Sequence, residues 1–524
     1  MKPDTPTIAR LVLAAAVVVA SVAARAYHTE RPQTANAVIA ERIHRIETGF
    51  APVPLDANEP PLQFNLQKLM ELYKVPGVSI AVIENYNIAW AKAYGVTEEG
   101  GTTPVTTHTL FQAGSISKPV AATGALYLVE HSKLSLDEDV NKKLVSWKVP
   151  DNDFTKDQKV TLRRLMTHSG GLTVHGFPGY ATDARVPTVV QVLNGEKPAN
   201  TAPVRVFFVP GTKSEYSGGG VTIEQLLVQD VTGKPFPVFM RETVLDKIGM
   251  TDSTYEQPLP AARAALAASG TYGDGKVVPG RFHVYPEMAA AGLWTTPTDL
   301  AKFAIEIALS KHGKSNRVLS ESTTQQMLTP QIDLVGLGFF LGDAKSSGEF
   351  LHNGADEGFQ AVLLMFADSG QGVVVMADSD NGINFAEFFM ENIAKEYGWP
   401  SNPFKPSTDG ILSLVLSARG GKAALEKYSA WKQSGSTEYR VDENTLIGLG
   451  YQLLQRDHLE EAILVFQREV QDYPKYWNSY DSLGEAYMKA GQREAAVQNY
   501  EKSIELNPTN QNGIDMLKKL KAQR

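Results

Sequence analysis

Two pairs of apolar runs, far apart in the chain, do most to limit what it can fold into. Val78 to Ile83 and Ile88 to Tyr94 flank the turn Asn85-Tyr86-Asn87 and read as a β-hairpin. Phe359 to Phe366 and Val373 to Ala377 flank Asp368-Ser369-Gly370 and read as a second one. The first hairpin follows a helical pattern with apolar residues at Leu62, Leu66, Leu69, Met70 and Tyr73, and the second precedes an amphipathic stretch from Asn384 to Tyr397. The long section between them is rich in helix patterns and Gly/Pro loops. The arrangement expected is one antiparallel sheet closed by both ends of the domain, flanked by helices and interrupted by a largely helical insertion. That is an α/β (α+β) fold over residues 62–398.

Trp399 to Asp409 holds three prolines and reads as a linker, opening a segment 399–440 that also carries a helical pair, Ile411 to Arg419 and Lys422 to Trp431, broken at Gly420-Gly421. From 441 to 524 the texture is all-α and repeats at an offset of 34 residues. Leu449 recurs as Leu483, Gly450 as Gly484, Ala462 as Ala496, Phe466 as Tyr500 and Pro474 as Pro508. Small residues at a helix crossing, an aromatic and a closing proline resemble the tetratricopeptide pattern. Two such repeats cannot easily bury their faces alone, so neighbouring helices are expected to cover them.

At the other end, Lys2 and Arg10 precede the apolar run Leu11 to Ala23, and Ala24-Arg25-Ala26 fits a small-x-small cleavage site before Tyr27. Residues 1–26 therefore read as a secretory signal peptide, with an uncleaved N-terminal anchor as the alternative; the run is short for a membrane span. The expected location is a bacterial envelope compartment, most simply the periplasm. Residues 27–61 read as a polar tether with a short helical piece, Ala37 to Ile46, and a proline cluster at Pro52, Pro54, Pro60 and Pro61. The 524-residue chain carries a net charge of −8, which argues against a nucleic-acid binder, and it has no cysteine, which excludes thiol nucleophiles and thiolate metal sites.

Three short motifs carry chemistry. Ser115-Ile116-Ser117-Lys118 is an S-x-x-K tetrad at a loop-to-helix transition, where residues i and i+3 share a face and the lysine amine can meet the serine hydroxyl. A second S-x-x-K, Ser429 to Lys432, lies among the C-terminal helices with no supporting motif and reads as structural. Tyr216-Ser217-Gly218 lies in the glycine-rich stretch Gly211 to Gly220; in isolation the tyrosine reads as a packed aromatic. His352-Asn353-Gly354 precedes the Phe359 run and in isolation reads as a polar turn closing a hairpin. His168 with Ser169 reads as a structural turn near the site. Asp378-Ser379-Asp380-Asn381-Gly382 has the wrong spacing for an EF-hand and reads as a turn after a strand. There is no G-x-S-x-G and no H-E-x-x-H.

The order S-x-x-K, Y-x-G, H-x-G resembles the penicillin-recognising serine hydrolases, in particular the class C β-lactamase and D-alanyl-D-alanine carboxypeptidase branch. Phe111 to Ser115, Leu134 to Asp137 and Leu165 to Leu172 are similar to that family too. The resemblance implies a serine β-lactamase-like fold, Ser115 as the acylated nucleophile, Lys118 as its proton partner and Tyr216 as general base or relay. It implies substrate contacts from Gly218 and from the strand His352, Asn353, Gly354 and Ala355, with the N–H groups of Ser115 and Ala355 as oxyanion donors. No metal or organic cofactor is implied. Gly218 stands where the family usually has asparagine, and His352 where it usually has lysine, so efficient β-lactam hydrolysis is not expected.

The reading is an exported serine hydrolase acting on small-molecule esters, peptides or β-lactams through an acyl-enzyme, with repeats available to a protein partner. Neither nucleic-acid binding nor a membrane span in the mature chain is expected. The competing reading is a penicillin-binding-type sensor or scaffold on the same fold, whose repeats bind a partner and whose hydrolase site is weak or vestigial. The joint presence of Ser115, Lys118 and Tyr216 favours the enzyme.

Overall fold

The two hairpins meet in one six-stranded sheet, although the long helical insertion separates them in the chain. The computed structural model describes residues 35–49, 62, 64–343, 345–435, 439–455 and 457–522. The N-terminal segment read as a signal peptide and the prolines at 52, 54, 60 and 61 lie outside the described residues.

Helix α1 (Ala35–Thr48) and helix α2 (Leu66–Tyr73) precede strands β1 (Gly77–Glu84) and β2 (Asn87–Gly95). The Asn65 side chain caps α2 by accepting from Lys68 N at 2.9 Å, so the helix starts later than its apolar pattern suggests. Asn85 and Tyr86, at φ 53° and 59°, form the two-residue turn whose twist suits a hairpin. The insertion includes α3 (Ser117–Glu130), α4 (Gly218–Thr232) and α5 (Pro297–Lys311). The chain then returns as β3 (Phe340–Leu341), β4 (Glu349–Asp356), β5 (Phe359–Phe366) and β6 (Gln371–Ala377), followed by α6 (Gly382–Tyr397). Strand order is β2-β1-β6-β5-β4-β3, with every neighbouring pair antiparallel.

Both faces of the central strands are covered, which is why β1, β5 and β6 read as continuous apolar runs rather than alternating ones. Val78, Ile80, Leu364, Val373 and Val375 pack toward α2 and α6. Ala81, Ile83, Leu363, Met365, Val374 and Met376 pack toward the insertion, with α5 lying across β1, β5 and β6.

Two expectations about the ends change. The helical piece inside the expected tether is docked: Ile46 is buried, Arg42 pairs with Glu84 at 3.0 Å, and Arg45 pairs with Glu396 at 2.5 Å. The proline-rich segment after Trp399 does not separate two bodies. Trp399 packs on Phe366 with ring centroids 5.7 Å apart, and Ser401 Oγ donates to Glu349. The apolar cluster on that face of the sheet continues through Leu412, Leu414 and Val415 into the C-terminal helices.

Those helices are α7 (Thr408–Arg419), α8 (Gly421–Ser434), α9 (Thr445–Gln455), α10 (Leu459–Asp472), α11 (Trp477–Lys489), α12 (Arg493–Leu506) and α13 (Gln511–Ala522). The repeat landmarks have a direct packing reason. A Cβ on Gly450 would collide with the Phe466 ring, and one on Gly484 would lie 3.2 Å from Tyr500, so a small residue opposite an aromatic sets each crossing. Among the described residues, no helix is long and apolar enough to cross a membrane.

Candidate active site

Ser115 lies in a single 3₁₀ turn, Gly114–Ile116, that runs directly into α3. A short ladder holds this turn: Phe111-Gln112 pairs with Trp294-Thr295, Ala113 N donates to Leu293 O at 2.9 Å, and Leu293 N donates to Ser117 Oγ at 3.0 Å. Lys118 follows one turn later on the same face. Its Nζ donates to Ser115 Oγ at 2.8 Å and to Ala290 O at 2.7 Å, and the side chain is buried. The spacing thus brings amine and hydroxyl together, and the Ala290 carbonyl, supplied from a distant segment, fixes the amine. The second S-x-x-K does nothing comparable. Ser429 Oγ is tied back to Leu425 O at 2.7 Å, and Lys432 pairs with Asp472 at 3.2 Å.

Strand β4 passes against the Ser115 turn. A Cβ on Gly354 would collide with Ala113 O and lie 2.9 Å from Ser115 N, so only glycine allows this approach. Gly114, at φ 51°, meets the Ala355 backbone from the other side. The turn and the strand therefore present the backbones of Ser115 and Ala355 side by side. His352-Asn353-Gly354 is part of this strand, paired in register with Leu363, Val362 and Ala361, and is not a hairpin turn.

Tyr216 stands beside the pair on the segment leading into α4, which Ser217 caps through Gly220 N at 3.0 Å. Lys118 Nζ lies 5.0 Å from the Tyr216 ring centroid. No hydrogen bond joins the phenol to Ser115 or Lys118 among the described residues. His168 supports this segment from below. Its ring lies 4.2 Å from that of Tyr216, its Nδ1 accepts from Ser217 N at 3.3 Å, and its carbonyl accepts from Glu215 N at 2.8 Å. Burial, and secondly the charge of Lys118, hold the His168 imidazole well below its ordinary range.

Two residues expected at the substrate are not on the cavity wall. His352 is 1% exposed, behind Tyr216 and Phe340, with ring centroids 6.3 and 5.3 Å away. Its Nδ1 donates to Asn353 O at 2.6 Å, the tautomer assigned from that contact. Burial first and the Lys118 charge second push its pKa down to about 3, so it is neutral at physiological pH and does not gain charge toward pH 6 as its ordinary value suggests. Gly218 is covered by the loop His175–Phe177. Its N–H donates to His175 O at 3.0 Å, and a Cβ there would lie 3.0 Å from both His175 O and Phe177 Cε2. The loop fills the space that an asparagine side chain would need.

The cavity above Ser115 has a volume of about 490 Å³. Besides Ser115, Lys118, Tyr216, Asn353, Gly354 and Ala355 it is walled by residues that the sequence did not single out: His175, Gly176, Phe177, Ala290, Ala291, Phe340 and Asp356. They come from separate loops and strand ends, and nothing local in their sequence marks them.

The sequence profile of the β-lactamase family matches residues 62–392, and a tetratricopeptide-repeat profile matches residues 477–510. A β-lactamase of Pseudomonas fluorescens is 29% identical over 241 residues, covering 45% of this chain and 61% of that protein. A β-lactamase of Lysobacter lactamgenus is 30% identical over 283 residues, covering 50% and 64%. The chain thus spans less than two thirds of the length of these curated relatives. The octameric penicillin-binding protein homologue from Pyrococcus abyssi shares the fold, with TM-score 0.54 and 23% identity over 68% of this chain and 80% of that one. A serine and a lysine held together at the start of a buried helix, against a glycine-bearing strand of an antiparallel sheet, are thus set in a domain that the profile matches from α2 into α6, and the chain belongs to the β-lactamase family.

Proposed function

We propose that the protein is a serine hydrolase acting on carboxylic esters or amides through an acyl-enzyme on Ser115. The observation that carries this reading is the contact of Lys118 Nζ with Ser115 Oγ at 2.8 Å, anchored by Ala290 O at 2.7 Å. Ser115 Oγ attacks the carbonyl carbon, and its proton leaves through Lys118, with Tyr216 relaying it to the leaving group as the bond to that group breaks. The N–H groups of Ser115 and Ala355 receive the developing oxyanion. Water then attacks the acyl carbon, its proton returns by the reverse route through Tyr216 and Lys118 to Ser115 Oγ as the bond between Oγ and the acyl carbon breaks, and the acid is released.

The polarity of the site favours substrates without a carboxylate at the position the family's lysine would meet. Lys118 is the sole lysine or arginine lining the cavity among the described residues, and it is engaged with Ser115. His352, at that strand position, is buried and neutral. Esters and amides lacking that carboxylate are therefore the preferred class over penicillins and terminal D-alanyl peptides. The repeats are read as the surface for a protein partner, and the N-terminal segment as an export signal.

A fluorophosphonate probe tests the nucleophile. The full chain should be labelled at Ser115, Ser115→Ala should lose the label, and Ser429→Ala should keep it. An adduct mapped to another serine, or undiminished labelling of Ser115→Ala, refutes the assignment.

A further inference from the structure

The loop over the start of α4 is held in a strained form. Val174 has φ 66°, in the left-handed region that a β-branched residue rarely adopts. Such strain persists only where the surroundings fix it, and it gathers at functional sites. Here the backbone is fixed from two directions. On one side Thr173 N donates to Arg205 O at 2.9 Å. On the other, Ser217 Oγ donates to Thr173 O at 2.9 Å, while Gly219 N donates to Val174 O and Gly218 N to His175 O, each at 3.0 Å. The loop carbonyls thus take up N–H groups of the first turn of α4 that have no partner within the helix.

This fixed backbone presents the side chain of His175. The residue is exposed, it lines the cavity together with Ser115 and Lys118, and its ring centroid lies 4.9 Å from that of Tyr216. Neither ring nitrogen has a hydrogen-bond partner among the described residues. The two other histidines beside Tyr216 differ: His168 and His352 are both buried, and each uses its Nδ1 on the protein backbone. Phe177, Phe340, Ala290 and Ala291 add apolar side chains to the wall, and Ser115, Lys118 and Tyr216 serve the acyl transfer. His175 therefore brings to the cavity a hydrogen-bonding side chain that neither the fold nor the mechanism uses. A substrate that displaces its water without replacing the hydrogen bond binds less well, and this is how a polar wall group selects among substrates of equal size.

We propose that His175 is a specificity residue whose imidazole hydrogen-bonds a hydroxyl group of the substrate within a few bonds of the scissile carbonyl. A hydroxyl suits it because one oxygen both donates and accepts, so it meets a neutral imidazole in either tautomer. The preferred substrates are then hydroxylated esters, with the hydroxyl on the acyl part or on the alcohol. This inference rests on Ser115 being the nucleophile.

The test measures kcat/KM of the full chain for two isosteric ester pairs, each value divided by the rate constant for alkaline hydrolysis of the same ester. Ethyl 3-hydroxybutanoate (both enantiomers) against ethyl 3-methylbutanoate places the hydroxyl on the acyl side. 2-Hydroxyethyl butanoate against n-propyl butanoate places it on the alcohol side. In one of the pairs the hydroxylated ester should be favoured at least about fivefold, the size of a net hydrogen bond, and that pair identifies the side. In His175→Phe and in His175→Ala the preference should fall to within about twofold. A structural disturbance of Tyr216 slows both members of a pair alike and leaves the ratio unmoved. The unsubstituted protein decides the matter even if neither variant folds: equal values within both pairs overturn the proposal while leaving Ser115 as the nucleophile. A preference that survives both substitutions also overturns it and passes the role to Asn353, the remaining polar side chain on the exposed part of the wall. Hydrolysis of none of these esters overturns it as well, and absence of fluorophosphonate labelling alongside overturns the nucleophile too.

Discussion

The buried imidazole of His352 makes a quantitative statement about stability in acid. Its pKa is depressed to about 3 from an ordinary value of 6.5, chiefly by burial. Above pH 6.5 the side chain is neutral in both the folded and the unfolded chain, and it contributes no pH dependence. Below pH 6.5 the unfolded chain takes up a proton that the folded chain refuses, so stability falls by about 1.4 kcal/mol per pH unit until the folded value is reached. At pH 5 the deficit is about 2 kcal/mol, and it is nearly independent of where below 4 the folded value lies. His352→Gln removes the titration. Urea unfolding followed by tryptophan fluorescence at pH 7.5 and pH 5.0 gives the change within each protein, so any constant packing cost of the substitution cancels. The unsubstituted chain should lose about 2 kcal/mol more than His352→Gln between the two conditions. Equal losses would show that the folded protein accommodates a charged His352, and the reasoning from burial would fail. The same neutrality predicts that the ratio of kcat/KM for a carboxylate-bearing ester to that for its neutral analogue stays flat from pH 5.5 to 8.5.

Tyr216→Phe removes only the phenolic hydroxyl and should lower kcat by about 10²–10⁴-fold with little change in melting temperature, the range for a lost proton-transfer group; turnover equal to the parent would make Tyr216 a wall residue. A chain ending at Pro400 exposes the cluster face that Leu412, Leu414 and Val415 cover, so it should aggregate or melt earlier than the full chain. An unchanged melting temperature and full solubility would show that the C-terminal helices do not support the hydrolase domain. N-terminal sequencing of the chain after expression in a secreting bacterium should begin at Tyr27, and recovery of Met1 would refute cleavage of the leader.

Local pattern was enough for the parts of this protein that depend on local pattern. Continuous apolar runs marked β1, β5 and β6 because those strands are buried on both faces. Ser115 and Lys118 were legible because an i to i+3 spacing on a helix puts two side chains on one face whatever surrounds them. The repeat landmarks were legible because each small residue meets an aromatic across a crossing that recurs with the chain. His352 and Gly218 show where this stops. Their positions in the sequence resembled substrate contacts, yet the cavity wall is decided by which loop covers which strand. The His175–Phe177 loop lies over Gly218, while Tyr216 and Phe340 stand in front of His352, and no spacing in the chain encodes that layering. Asp356 was invisible for the same reason. A single acid after an alanine has no signature, and only the packing of β4 against the Ser115 turn leaves its carboxyl buried at the edge of the cavity. The junction after Trp399 is the converse case: prolines mark an extended segment, but whether the elements it joins share a core depends on apolar faces far apart in sequence, which only the folded chain brings into contact.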